Sequence, residues 1–196
     1  MKLLLQILVL AVAFTSLYNE VNGQYVMINY YDYQSDQSCQ GGVISTTYDV
    51  ENKCLGGTEF VCVGNEIQIN FYKDSNCSQG IQQQMTQEIG VCEGGLLFNC
   101  VDNYQMPENS IASVISESCD DWKSTAVSVV SKPLNICLIT PSENAVIYSC
   151  TSDTITTSIY PRTDSCVGIP KNNTLQLPGC QAAPGSKFYY SDICNQ

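Results

Sequence analysis

Twelve cysteines are spread along the chain in a spacing that recurs four times, and no other feature limits the possible folds so strongly. Cys39, Cys54 and Cys62 are separated by 14 and 7 residues, and Cys77, Cys92 and Cys100 repeat both gaps unchanged. Cys119, Cys137 and Cys150, with gaps of 17 and 12, and Cys166, Cys180 and Cys194, with gaps of 13 and 13, are looser copies. First cysteines recur after 38, 42 and 47 residues, within the range of repeat architectures.

The residues around the cysteines keep the same alignment. An aromatic and a short polar stretch with Asp precede the first cysteine in Tyr33-Gln-Ser-Asp-Gln-Ser-Cys39, Phe71-Tyr-Lys-Asp-Ser-Asn-Cys77 and Tyr160-Pro-Arg-Thr-Asp-Ser-Cys166. Unit three keeps only Val114-Ile-Ser-Glu-Ser-Cys119. Gly41, Gly80 and Gly168 follow soon after, and the second cysteines of units one and two open Cys54-Leu-Gly-Gly and Cys92-Glu-Gly-Gly. Ile67-Gln-Ile-Asn-Phe71 alternates apolar and polar residues as a half-buried strand does. Segments 25–31, 126–130, 145–148 and 187–190 are rich in β-branched and aromatic residues. Gly56-Gly57 and Gly94-Gly95 suit two-residue hairpin turns, which need φ > 0. The glutamine-rich segment 81–89 reads as strand or loop. The expected fold is all-β: disulfide-rich tandem repeats of about 40 residues, arranged as two paired Greek-key-like or sandwich units. Repeats one and two are expected to occupy 24–108, and repeats three and four 109–196.

Three cysteines per unit is an odd number, so a fully oxidised unit must send at least one bond outside itself. The simplest scheme joins first to second within each unit, namely Cys39–Cys54, Cys77–Cys92, Cys119–Cys137 and Cys166–Cys180. Third cysteines then join between neighbours, as Cys62–Cys100 and Cys150–Cys194. Spacing does not fix connectivity, so this scheme is an expectation. Each bond is worth roughly 2–4 kcal/mol, and a unit this small buries little by itself.

Export is written in the first residues. Lys2 and the apolar run Leu3 to Phe14 form a secretory signal, too short for the roughly 20 apolar residues of a membrane span. Val21-Asn22-Gly23 places cleavage before Gln24, making 1–23 the signal peptide. All twelve cysteines follow that site, and their even number reads as a disulfide framework of an oxidising compartment. Zinc is disfavoured: the tightest spacing is C-x7-C and histidine is absent. Asn76-Cys77-Ser78 and Asn172-Asn173-Thr174 are N-glycosylation sequons at Asn76 and Asn172. Losing the signal removes Lys2 and Glu20, leaving 7 basic and 18 acidic side chains and a net charge of −11. Nucleic acid and anionic membranes are therefore unsuited as partners.

Without histidine, Ser-His-Asp and Cys-His catalysis are closed. With every cysteine paired, no thiolate nucleophile remains. No phosphate-binding glycine loop is present. No catalytic residue, cofactor or metal site is expected. Only paired carboxylates could catalyse, as in a glycosidase, and Asp120-Asp121-Trp122 reads more simply as an acidic turn anchored by an aromatic. Twelve tyrosines occur. Tyr30, Tyr31 and Tyr33, with Trp122, are the candidate ligand contacts, since such rings offer an apolar face and a polar tip.

The recurring aromatic followed by an Asp-Ser-Asn-Cys-Ser turn, behind a signal peptide, resembles a family of secreted, cysteine-rich repeat proteins of social amoebae. That resemblance implies no catalytic or binding residue. A weaker likeness is to the paired Greek keys of βγ-crystallins, which Tyr33–Gly41 and Tyr160–Gly168 imitate with Cys in place of the second aromatic. The function expected is that of a secreted, non-enzymatic extracellular protein binding a cell surface, matrix or polysaccharide through a carbohydrate or protein ligand. The alternative is a secreted protease inhibitor or antimicrobial defence protein. Intact-mass measurement of the exported protein is expected to show a chain beginning at Gln24; retention of residues 1–23 contradicts the signal assignment.

Overall fold

The computed structural model describes residues 25–31, 38–139, 144–161, 165–177, 179–183 and 186–196. The signal segment 1–23, its cleavage site and Tyr33 lie outside the described residues. Among them every regular element is a strand. The N-terminal half contains β1 (Tyr25–Tyr31), β2 (Val43–Val50), β3 (Thr58–Val63), β4 (Glu66–Tyr72), β5 (Ile81–Glu88), β6 (Cys92–Glu93) and β7 (Leu96–Val101). The C-terminal half contains β8 (Ser110–Ser116), β9 (Ala126–Pro133), β10 (Leu138–Ile139), β11 (Ala145–Cys150), β12 (Thr154–Tyr160), β13 (Lys171–Gln176), β14 (Gln181–Ala182) and β15 (Tyr189–Asn195). The glutamine-rich segment is strand β5, and 187–190 is strand only from Tyr189.

These strands form an eight-stranded sheet of order β14-β15-β8-β9-β2-β1-β7-β6, a four-stranded sheet β10-β11-β12-β13 and a three-stranded sheet β3-β4-β5. The order β2-β1-β7-β6 is repeated as β9-β8-β15-β14, and β3-β4-β5 as β11-β12-β13. The organisation is thus repeat-like, and the two copies are sewn together through their second strands. β2 pairs antiparallel with β9, Thr46 to Ser131 through Asp49 to Ser128.

A second, finer repetition lies inside each copy. Strands β1 and β2 of unit one correspond to β4 and β5 of unit two. Both pairs carry a bulge at the same step, ending on Tyr31 opposite Val43 and Tyr72 opposite Ile81. The third strands are exchanged: β3 of unit one pairs with β4, while β7 of unit two pairs with β1. The Gly-Gly turns take part reciprocally, since Tyr72 N–H donates to Gly57 C=O and Tyr31 N–H to Gly95 C=O, each at 2.8 Å. Both glycines of each turn have positive φ, as the two-residue hairpin requires.

The disulfides follow the exchange. Cys39 bonds Cys92, Cys54 bonds Cys77, and Cys62 bonds Cys100. The second half repeats this as Cys119–Cys180, Cys137–Cys166 and Cys150–Cys194. The third-to-third bonds are the expected ones, but the first-to-second bonds within units are not formed, which corrects that part of the scheme. The reason is length. Cys39 and Cys54 stand at opposite ends of β2, and an eight-residue strand spans about 27 Å. A disulfide needs Cα atoms within roughly 7 Å; those formed here have them 5.5 to 6.4 Å apart. The same obstacle, β5, β9 or β13, separates the first and second cysteines of the other units.

Three clusters hold the sheets. Val26, Ile28 and Phe98 of the large sheet pack with Ile67 and Ile69 of the small one. Ile111 packs with Leu134, Cys150 and Ile155 in the other half. The opposite face of β1, with Tyr25, meets Tyr48, Ala112, Val114 and Val129 across the β2–β9 seam. Tyr25 hydroxyl donates to Ala126 C=O at 2.9 Å, tying the halves together again. Asp49 is buried at that seam. Burial raises its carboxyl above the ordinary aspartate value, and a hydrogen bond from Ser128 opposes the rise.

Two outcomes follow for stability. Gly57 has φ +92°, and a Cβ there meets Asp74 C=O at 3.0 Å. Gly57→Ala is expected to destabilise the fold by about 1–3 kcal/mol in urea unfolding. For Asp49 the folded value lies above the unfolded one, so its contribution is complete below about pH 3.9 and is lost as pH rises. Asp49→Asn is expected to raise the thermal midpoint at pH 7, with the gain shrinking as the pH falls toward 3.

Candidate binding face

Alternation along β4 sends Ile67, Ile69 and Phe71 into the core and leaves Glu66, Gln68, Asn70 and Tyr72 on the outer face of the small sheet. There the cross-strand pairs Glu59–Asn70 and Asn70–Gln84 set three strands side by side. Tyr72 hydroxyl donates to Glu59 Oε2 at 2.7 Å, and Asn70 Nδ2 donates to the same oxygen at 3.2 Å. Gln84 Nε2 donates to Asn70 Oδ1 at 2.8 Å and lies 3.4 Å from Gln68 Oε1. Asn70, 6% exposed, is the fixed centre of this ladder. Within it Gln84 only donates and Glu59 accepts through one oxygen, so the Gln84 carbonyl and Glu59 Oε1 take no part. The Glu59 carboxylate that receives the Tyr72 proton donor also raises the phenol above its ordinary value. The groups left free, the Gln84 carbonyl and Glu59 Oε1, are acceptors, so this face can receive hydrogen bonds from hydroxyl groups without rearranging.

The other half carries a matching ladder of smaller groups. Ser158 Oγ donates to Asn172 Oδ1 at 2.9 Å, and the hydroxyls of Thr156 and Thr174 are 3.0 Å apart. The sequon Asn172-Asn173-Thr174 therefore lies in an exposed edge strand. The sequon at Asn76 lies in a tight turn instead. Asp74 accepts there from the Ser78 hydroxyl at 2.8 Å and from the Gln79 N–H at 2.7 Å. Those hydrogen bonds, that from Gln79 first, hold the Asp74 carboxyl below the ordinary range.

The aromatic candidates sit elsewhere. Tyr30 is half-buried against the Val26 cluster, and burial raises its phenol above the ordinary value. Trp122 packs on the Tyr25 cluster, on the other face of the large sheet, with Lys123 Nζ 5.4 Å from its ring centre. Tyr31 is partly buried beside the Gly95 turn. The structure does not gather Tyr30 and Trp122 on one surface. Asp121 is occupied by its own turn: its carboxylate accepts from Ser124 and its C=O from Thr125 N–H. The alternation of 67–71 put Gln68 and Asn70 on a polar face, and 81–89 read as strand or loop, but Glu59, Tyr72 and the union of these residues across three strands were not legible in the sequence.

Among the described residues, Glu51 and Glu117 help to line a cleft of about 320 Å³ together with Lys53. Both acids there are committed. Glu51 accepts from Cys62 N–H at 3.0 Å, and Glu117 is paired with Lys53, which holds its carboxyl below the ordinary value. Among the described residues no cluster of three or more His, Cys, Asp or Glu could hold a metal ion. No helix among them is long and apolar enough to cross a membrane.

The fold and its six disulfides define a class: cysteine-rich, disulfide-bonded, all-β proteins of repeat-like build. The chain belongs to the family described as Counting factor-associated protein A/B/C, which matches residues 1–196. Neither a curated protein nor a solved structure matches it. The family match agrees with the resemblance to secreted cysteine-rich proteins and gives no tie to the βγ-crystallins.

Proposed function

We propose that this protein is a non-enzymatic binder of the extracellular space that attaches to a cell surface, matrix or polysaccharide through the outer face of the small sheet. The observation that carries this reading is the Tyr72–Glu59–Asn70–Gln84 ladder. It sets phenol, carboxylate and amide groups in one plane around a buried asparagine and leaves acceptor oxygens free for a sugar's hydroxyls. A sheet stapled by Cys62–Cys100 and Cys54–Cys77 keeps that plane rigid, so little ordering entropy opposes binding. Tyr31, Tyr33 and Trp122 serve as supporting contacts only where their rings reach solvent.

One observation favours the protease-inhibitor or defence reading. Val167 and Ile169, 79% and 95% exposed, stand on a turn held by the Cys137–Cys166 bond. A rigid, disulfide-tethered turn with apolar side chains is what a protease cleft receives.

The test is binding of tagged, oxidised protein to cells of the source organism and to their matrix, with free sugars as competitors. Saturable binding that one sugar abolishes is expected. The double substitution Tyr72→Phe, Gln84→Ala is expected to weaken it about tenfold, the loss of roughly 1.4 kcal/mol. Absence of saturable binding at micromolar concentration, with inhibition of a protease by the same preparation, overturns the reading in favour of the second.

A further inference from the structure

The repeat gives every unit the same second strand, and the structure shows what two of these strands do with their free edges. β2 and β9 pair with each other. Their equivalents in units two and four, β5 and β13, are sheet edges. Unpaired edges bind other strands unless something blocks them.

Among the described residues the other edge strands are short, capped or guarded. β6, β10 and β14 are two residues long. The outer edge of β3 is capped, since Asn52 N–H donates to Phe60 C=O and Cys62 N–H to Glu51. β13 begins with Lys171 and carries the sequon at Asn172 and Thr174. The registers Cys62–Ile67 and Cys150–Ile155, then Asn70–Gln84 and Ser158–Asn172, make Asn172 and Thr174 equivalent to Gln84 and Thr86. A glycan attached at Asn172, the second residue of β13, would stand near the start of that edge. Among the described residues β5 has no such guard: from Gln82 to Gln87 it is uncharged and free of proline, and its bulge lies at the far end, near Tyr72.

We propose that the chain associates with a second copy of itself by antiparallel pairing of β5 with β5, Met85 facing Met85 across a two-fold axis. The register comes from within the molecule. The bulges at Tyr31–Val43, Tyr72–Ile81 and Ser116–Ala126 make Thr47, Met85 and Val130 equivalent positions. Thr47 and Val130 face each other at the β2–β9 seam, so the same pairing centres β5 on Met85. The backbone is turned correctly for this. Ile89 N–H bonds inward to Asn65 C=O at 2.9 Å, so by alternation Gln87 and Met85 point their N–H and C=O toward β4. Gln84, Thr86 and Glu88 therefore point theirs outward. In the proposed register Gln84 exchanges hydrogen bonds with Thr86 of the second copy, and no charged pair is opposed. The two Glu88 residues stay about 20 Å apart along the strands, beyond the Debye length of about 8 Å at physiological salt. Met85, 42% exposed, is covered by its counterpart. The two small sheets become one, with both ladders on the same side. A strand pair alone buries less than a standard interface, so the dimer is weak and reversible.

Sedimentation velocity from about 1 µM to 1 mM, with amide exchange by NMR, tests this. A concentration-dependent dimer is expected, with the Gln84, Thr86 and Glu88 amides becoming protected as it forms, while Gln83 and Met85, already bonded to β4, change little. Thr86→Pro removes an outward N–H without touching the β4 ladder and is expected to weaken dimerisation at least tenfold. Met85→Glu keeps every backbone donor but opposes two carboxylates at the axis, and is expected to give a monomer that high salt partly returns to dimer. Near-ultraviolet circular dichroism of both variants is expected to match the unsubstituted protein. A monomer at every concentration, or a dimer indifferent to both substitutions, overturns the proposal.

Discussion

The exchange of third strands between neighbouring units is the constraint on which the rest of the molecule depends. Because β3 leaves its own unit to pair with β4, and β7 to pair with β1, neither unit can close a sheet alone. The disulfides lock that exchange where it happens: each bond joins one unit to the other, and none lies within a unit. Bonds that span 23 to 53 residues in the first half remove much of the unfolded chain's freedom. They compensate for clusters made of a handful of buried side chains, too few to hold fifteen strands by burial alone.

Repetition also distributes polar and apolar surface in a regular way. Each small sheet sends one face into a core cluster and presents the other as a ladder of hydrogen-bonded side chains, amides in one half and hydroxyls in the other. The ladders cost the fold little, since cross-strand polar pairs are themselves mildly stabilising. They leave the protein with hydrogen-bonded polar faces, and among the described residues the two acids that share a cleft, Glu51 and Glu117, are each already paired. The seam between the halves reuses the same second strand that the repeat supplies at each outer edge, so intramolecular assembly and the handling of free edges are parts of one design.

Much of this was legible in the residues. The cysteine gaps pointed to a repeat-like organisation, the alternation of 67–71 marked β4, and the paired glycines marked hairpin turns whose φ values are positive. The third-to-third bonds were legible because an odd cysteine must look outward. The remaining four bonds were not, because gap length favours the nearer partner while an intervening strand holds it a strand's length away. The tyrosines misled for a related reason. A tyrosine in a strand is half core and half surface, and only the sheet it faces decides which; Tyr30 faces a cluster, whereas Tyr72 faces out.

What the sequence by itself determined is chemical and periodic: a cysteine-rich chain without histidine, in which a recurring cysteine spacing runs through a β-rich pattern. What only the tertiary structure decided is partnership. Which cysteine meets which, which residues from three strands form one ladder, and which edge is left open all depend on strands that lie far apart in sequence. Local composition carries no record of that pairing. It is settled when exchanged strands find the one arrangement that buries both apolar faces and brings every pair of sulfurs within bonding distance.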